Sequence, residues 1–320
     1  MIDTAVRPFR FGAGIGGPLT RDGFVDAVHE VESLGYSTLV IPDHLIDQFA
    51  PFSALALAAA VTTRLRLGTF VLNNDLRHPA VLAQELATLD RLSGGRLEIG
   101  IGAGWNRSEY SSAGIVFDRS GTRIARLTES VTALKALFRE GPVGFEGHFY
   151  RISGFADLPR PLQRPHPPIL IGGGGRTTLT LAAREADIIG LAPRAVGEGR
   201  PDARSYTFAA TAEKLSWVRA AAGERFSSLE INTYSSLGPV SITDSPRTVA
   251  RAISDRLKRR VQVELSEDEV LESPHVFVGS VEALVEKCHR LREELGISYI
   301  VVTGEEAATF APVVERLAGT

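Results

Sequence analysis

Asp43-His44 is the sharpest polar pair in the chain, and it closes the short apolar run at 38–41. An imidazole titrates near neutral pH, so His44 can give or take a proton, and a close carboxylate would fix its orientation. Adjacent residues of an extended strand point to opposite sides, so the two need not face one ligand; the plain alternative is a capping Asp and a packed His. A second candidate is the run of four glycines at 172–175, set between Pro168-Ile169-Leu170-Ile171 and a helical stretch opening at Arg176. Backbone N–H groups there can close on a ligand unobstructed. The helix adds its positive end and Arg176 a full charge, which makes a phosphate seat. An ordinary strand-to-helix turn is the alternative. Gly12-Ala13-Gly14-Ile15-Gly16-Gly17 contains G-x-G-x-x-G spacing, with Asp43 26 residues beyond Gly17, and mimics a dinucleotide fingerprint.

Other chemistries lack their residues. Cys288, the only cysteine, lies in a helical pattern and reads as packing; disulfide frameworks and Cys-rich metal sites are excluded. His29, His78, His148 and His166 show no ligand spacing that recurs with His44, so no metal is expected. His78, just before Pro79, reads as a helix-start residue. There is no G-x-S-x-G elbow to support a hydrolase. With 320 residues, 44% hydrophobic and 23% charged, the chain has ample material for a core. A net charge of −3 gives no reason to expect nucleic-acid binding. No run approaches ~18 apolar residues, and the N-terminus lacks a basic stretch, so no membrane partner and a cytoplasmic location are expected.

The elements that must position these residues alternate eight times. Short apolar runs at 10–13, 38–41, 65–72, 97–101, 169–171, 187–191, 229–233 and 298–302 are separated by helix-period segments. Eight βα units in about 300 residues predict an α/β fold, a single (β/α)8 TIM barrel over 1–320. Insertions are expected near 105–118, 141–168, 192–204 and 258–278. The second carries a hairpin at 143–150, and the third reads as a mobile loop on the catalytic face. A Rossmann fold is disfavoured because Pro18, Leu19 and Thr20 start the first helix after the third glycine. Chemistry belongs at the C-terminal strand ends of a barrel. There the sequence places Gly12 and its neighbours, Asp43-His44, Asn73-Asn74-Asp75, Gly102-Ala103-Gly104-Trp105-Asn106 and the glycine quartet.

At this point the chain resembles the bacterial-luciferase-like flavin and deazaflavin oxidoreductases. The resemblance rests on Leu67-Gly68-Thr69-Phe70-Val71-Leu72, Arg77-His78-Pro79-Ala80-Val81-Leu82-Ala83-Gln84-Glu85, the quartet with Leu181-Ala182-Ala183 and Ala186-Asp187, and above all the segment from Leu89-Asp90-Arg91-Leu92-Ser93-Gly94-Gly95-Arg96 to Gly102-Ala103-Gly104-Trp105. It runs over nearly the whole chain and is strongest toward the actinobacterial branch that uses coenzyme F420. The tail Leu271-Glu272-Ser273-Pro274-His275-Val276 through Tyr299-Ile300-Val301-Val302 supports that branch. The resemblance implies a cofactor ring at the mouth of the barrel, with a non-proline cis peptide at Phe70–Val71 behind it. It implies that His44 contacts the reactive edge or serves as acid/base, and that the phosphate sits on Gly173, Gly174, Gly175 and Arg176. Gly12, Phe70, Val71, Asn73, Gly102, Ala103 and Gly104 are the remaining cofactor candidates, and Asp43, His44 and Trp105 the catalytic ones. Some deazaflavin dehydrogenases of the family place a Glu where this chain has Trp105, which speaks against sugar-phosphate dehydrogenation. Trp105 then walls the substrate pocket, and Glu109 can reach it from the loop. The expected activity is hydride transfer between F420 and a small organic substrate. An FMN-dependent monooxygenase with reduced flavin is the alternative, and a non-catalytic flavin-binding barrel the second. A separate F420 or flavin reductase and a homodimer are the partners this implies.

Overall fold

In the computed structural model, which describes residues 7–155, 157–196 and 200–320, eight parallel strands close into a ring. They are β1 (Arg10–Gly14), β2 (Thr38–Ile41), β3 (Arg66–Thr69, resuming as Leu72–Asn73), β4 (Leu97–Gly102), β5 (Ile169–Gly173), β6 (Ile188–Leu191), β7 (Glu230–Tyr234) and β8 (Ile297–Thr303). Each strand pairs with the next, and β8 pairs with β1. This is the TIM barrel that the βα alternation predicts; an open dinucleotide-binding sheet would leave two edges unpaired. The helices begin where the local signals put them. Thr20 accepts from the Gly23 N–H at 3.1 Å to start Arg21–Ser33, and Gly35 takes φ +83° just beyond its end. His78 caps Pro79–Leu92 by accepting from the Ala80 N–H at 3.2 Å.

Strand alternation divides the core in two. Phe11 and Ala13 of β1, Leu39 and Ile41 of β2, Ile169 and Ile171 of β5 and Ile300 and Val302 of β8 face the helices in one large cluster. The intervening residues Val40, Leu170, Ile188, Tyr299 and Val301 form a second cluster inside the barrel. Below it, Arg10 donates to both Glu230 oxygens (2.9 and 2.7 Å) and to Glu98 (2.6 Å), and Arg66 donates to Glu98 at 2.5 Å. Burial opposes the charge on Glu98, but Arg10 and Arg66 outweigh it and hold the carboxyl below its usual range. A charged layer thus seals the end away from the mouth. Gly12 belongs to this interior: a Cβ there would meet Val301 at 3.1 Å and the Tyr299 hydroxyl at 3.2 Å. Its missing side chain makes room for Tyr299, so no ligand contact is needed to account for it.

The expected continuous strand at 65–72 is broken. The Phe70–Val71 peptide is cis, as the resemblance implies, and the register against β4 shifts by one residue between Leu67↔Leu97 and Leu72↔Ile101. Thr69 and Gly100 clasp across the break, Oγ1 donating to the Gly100 carbonyl at 2.7 Å and accepting from its N–H at 2.9 Å. A Cβ on Gly100 would stand 1.9 Å from the Thr69 carbonyl oxygen.

Four additions surround the mouth or flank the wall. The 105–118 segment carries a short helix, Arg107–Ser112. The 141–168 segment holds the expected hairpin, its strands at Val143–Glu146 and Arg151–Phe155. In the loop read as mobile, Ala195–Val196 pairs with Arg200–Pro201, and residues 197–199 lie outside the described residues. The last insertion lies between helix Pro246–Val261 and the short strand Val278–Gly279, which pairs with Ser241–Ile242; it includes the helix Glu267–Glu272 and packs in a cluster of its own with Tyr206 and Leu237. Cys288 is fully buried and burial pushes its thiol up to about 12, consistent with packing. No described helix is long and apolar enough to cross a membrane.

Candidate active site

His44 leaves the end of β2 with its ring half-buried at the mouth. Its Nδ1 lies 2.9 Å from Oε1 of Glu109, on the Arg107–Ser112 helix. Glu109 is 8% exposed, and the same Oε1 accepts from Asn106 Nδ2, while Oε2 takes a looser contact from the Leu45 N–H at 3.4 Å. Asn106 is the N-cap of that helix, which turns the Glu109 carboxylate back toward β2. Trp105 is half-exposed and meets the His44 ring edge-on, centroids 5.8 Å apart. The arrangement is an imidazole with one nitrogen held by a buried carboxylate and an aromatic wall beside it, an acid/base group in a fixed orientation.

Asp43 does not supply that orientation. Its carboxylate is buried and points away from His44, accepting from both terminal nitrogens of Arg77 (2.6 and 3.0 Å) and from the Asn73 N–H at 2.9 Å. It ties β2 to the chain beyond β3. The sequence pair Asp43-His44 therefore separates into a structural clamp and a mouth residue, as alternation along a strand allows. The sequence points to Glu109 as able to reach the pocket, but not as the residue that holds His44. The missed signal is its place three residues after Asn106, the spacing that puts an acidic side chain at a helix start.

Phe70 and Val71 sit half-buried at the top of the barrel's inner cluster, and Phe70 meets Tyr234 of β7 edge-on at 5.5 Å. Val71 explains several glycines. Its methyls occupy the space a Cβ would take on Gly102 (2.9 Å) and Gly172 (3.3 Å). Gly104, at φ +71°, leaves room for the Tyr110 hydroxyl, which donates to Asn73 Oδ1 at 2.9 Å. The Ala103 carbonyl accepts from Arg123 at 3.2 Å. Asn73, Gly102, Ala103 and Gly104 thus share one packed rim whose visible task is to shape the bulge and the loop leading to Trp105.

The glycine quartet divides similarly. A Cβ on Gly173 would strike Thr178 at 2.5 Å, and one on Gly174 would strike Pro193 at 2.4 Å, so both serve close packing. Gly175 meets nothing within 4 Å. It is the N-cap of Arg176–Glu185 with no side chain capping the first turn, and Arg176 is exposed with no hydrogen bond or ion pair among the described residues. An exposed arginine thus stands in the first turn of a helix whose start has no side-chain cap among the described residues. Among the described residues no cluster of three or more His, Cys, Asp or Glu side chains could hold a metal.

The family model for luciferase-like monooxygenases matches residues 5–245. The chain belongs to this luciferase-like family. Among curated members, an F420-dependent glucose-6-phosphate dehydrogenase of Kineococcus radiotolerans is 35% identical over 196 residues, 58% of this chain and 57% of that one. An FMNH2-dependent dimethylsulfone monooxygenase of Pseudomonas putida is 37% identical over 109 residues, 34% of this chain and 30% of that one. The chain thus spans about half the length, or less, of the curated relatives it matches. In structure, the coenzyme F420-dependent tetrahydromethanopterin reductase of Methanopyrus kandleri superposes with a TM-score of 0.77 over 97% of this chain and all of the other, at 18% identity; that likeness bears on the fold. The luciferase-like family holds enzymes that use either cofactor, and both kinds carry out oxidoreductase chemistry.

Proposed function

We propose that this luciferase-like protein transfers a hydride between F420 and a small organic substrate, with His44 as the proton donor or acceptor. The observation that carries the reading is His44, clamped by Glu109 at the mouth, together with an uncapped helix start at Gly175–Arg176 elsewhere on the rim. The residues fit a flat cofactor with a phosphate: Gly175, the N–H groups of the first helical turn and Arg176 would hold the phosphate, and Phe70 and Val71 would back the ring. A deazaflavin has carbon at its reactive position, so it supplies two-electron hydride chemistry and little reactivity toward oxygen. The chain's own part is positioning and proton handling. Glu109 keeps the imidazole in one orientation, Trp105 walls off its side, and Phe70 and Tyr234 give an apolar floor that limits water.

F420-dependent relatives of 35–36% identity favour this cofactor. The P. putida relative supports a second reading, in which reduced FMN from a separate reductase serves a monooxygenase. Mass spectrometry of the cofactor retained after expression in an F420-producing actinobacterium separates the two. F420 is the expected result. FMN alone, with oxygen consumption once a flavin reductase is added, would sink the first reading in favour of the second.

A further inference from the structure

A second polar feature lies outside the His44 site, between the segments that follow β6 and β7 and the helix Pro246–Val261. A cavity of about 380 Å³ is lined by Tyr206, Ser236, Arg256 and Arg260, with Leu237 and Leu257 among its apolar walls. We propose that it is an anion subsite, taking a carboxylate or phosphate group carried by the substrate or by the cofactor's side chain. This rests on the reading of the protein as an F420 enzyme only for the identity of the molecule that brings the anion.

The polar groups lining the cavity can donate, two of them are permanent cations, and no acidic side chain lines it among the described residues. Arg256 is half-buried and aimed by one hydrogen bond, a terminal nitrogen donating to the Leu237 carbonyl. Its other nitrogens make no hydrogen bond among the described residues. Arg260, one turn further along Pro246–Val261, is exposed and makes neither a hydrogen bond nor an ion pair among them. Basic residues in a last helical turn complement the dipole, which accounts for Lys258, Arg259 and Arg260 by themselves. It does not account for Arg256, which sits before that turn and turns inward. Burial raises the pKa of Tyr206 out of the physiological range despite the Arg256 charge beside it, so its hydroxyl remains a donor. Tyr206 is fixed in place as well, its carbonyl accepting from Ser273 Oγ at 2.6 Å.

Packed rings join the wall of the cavity to the inner cluster of the barrel. Phe70 meets Tyr234 at 5.5 Å, Tyr234 meets His275 at 5.9 Å, and His275 meets Tyr206 at 5.4 Å, all edge-on. A line of three aromatic contacts therefore runs from the bulge behind the ring to the wall of the cavity. Guanidinium forks suit carboxylate and phosphate oxygens in particular.

The test uses the full chain and inorganic phosphate as probe, in an Arg176→Ala background that silences the other anion seat. Calorimetric titration should show phosphate binding that weakens at least tenfold when Arg256→Gln and Arg260→Gln are added. Because Arg256 also holds a carbonyl, Arg260→Gln alone is the folding-safe variant; it should weaken binding about threefold with an unchanged melting temperature. Phosphate affinity within twofold in all variants, or no binding in the Arg176→Ala background, overturns the proposal. The source is read with Arg176 restored. If Arg256→Gln/Arg260→Gln lowers F420 affinity, measured by the cofactor's fluorescence, the anion belongs to the cofactor; if F420 affinity holds while phosphate binding is lost, it belongs to the substrate. A wild-type chain that binds no F420 defeats the proposed function while the phosphate titration still decides the subsite.

Discussion

Replacing Glu109 tests the link between the site's geometry and its rate. Glu109 holds His44 Nδ1 at 2.9 Å and is itself steadied by Asn106 and, more loosely, by the Leu45 N–H. A hydrogen bond to a charged group contributes roughly 1.5–3 kcal/mol, against about 0.5–1.5 kcal/mol for a neutral one. Glu109→Gln keeps the shape and an accepting oxygen but loses the charge, forfeiting about 1 kcal/mol, or roughly five- to tenfold in turnover. Glu109→Leu loses the bond and the orientation of the ring, about 1.5–3 kcal/mol, or roughly 10- to 150-fold. Glu109 touches neither Gly175 nor Arg176, so cofactor affinity should stay within about twofold. Turnover and cofactor titration on the same preparations check this, and wild type, Glu109→Gln and Glu109→Leu should fall in that order at constant affinity. In a His44→Ala background, Glu109→Leu should cost nothing further, because a residue acting through another has nothing to act on once its target is gone. A Glu109→Leu enzyme with wild-type turnover, or a loss that persists undiminished in the His44→Ala background, would refute the positioning argument.

Two further outcomes follow from the packing. Gly100→Ala puts a methyl 1.9 Å from the Thr69 carbonyl oxygen and should destabilise the fold by about 3 kcal/mol or more, while Gly175→Ala, with nothing within 4 Å, should melt like wild type; denaturant midpoints check both, and a Gly100→Ala midpoint equal to wild type would contradict the clasp. His275 is wholly buried, and burial, helped by the Lys214 charge, drives its pKa from 6.5 to about 3. Between those values the unfolded chain binds the extra proton, so acidification from pH 6.5 should cost about 1.4 kcal/mol per pH unit from this group. His275→Phe should show a shallower fall in melting temperature between about pH 6.5 and 4.5, whatever its absolute stability, and an unchanged slope would rule the residue out.

The barrel was legible because its signal is local: eight apolar runs, each followed by a helix-period segment, admit few architectures. The positions of His44 and of the helix start at Gly175–Arg176 were legible for the same reason, since residue type and strand end suffice to place them. Partnerships across the ring were not. Nothing in the order Asp43-His44 says that Asp43 turns to Arg77, 34 residues on, or that His44 turns to Glu109, 65 residues on. The glycines misled in one consistent way. A glycine in sequence reads as room for a ligand, but the room at Gly12, Gly102, Gly172 and Gly174 is filled by Tyr299, Val71 and Pro193. Which atom occupies a missing Cβ's place depends on strands that pair at long range, and Val71, at the register shift between β3 and β4, lies against both Gly102 and Gly172.

That contrast separates scaffold from site more sharply than position along the rim does. Asp43 and Asn73 stand at strand ends, where catalytic residues of barrels are found, yet the Asp43 carboxylate and the Asn73 side-chain oxygen are engaged by neighbours, Arg77 in one case and Tyr110 in the other. Arg176 and Arg260 have no partner among the described residues, and the first turn beyond Gly175 has no side-chain cap. A charge left to solvent in the folded chain has no ion pair that a ligand must replace, so binding there begins without the cost of breaking one. A saturated carboxylate such as Asp43 must first give up a buried ion pair, which is worth several kcal/mol when broken from one side. His44 lies between the two cases: one nitrogen is held by Glu109, and that hold leaves the other face of the ring in a defined direction, free to exchange a proton at the mouth.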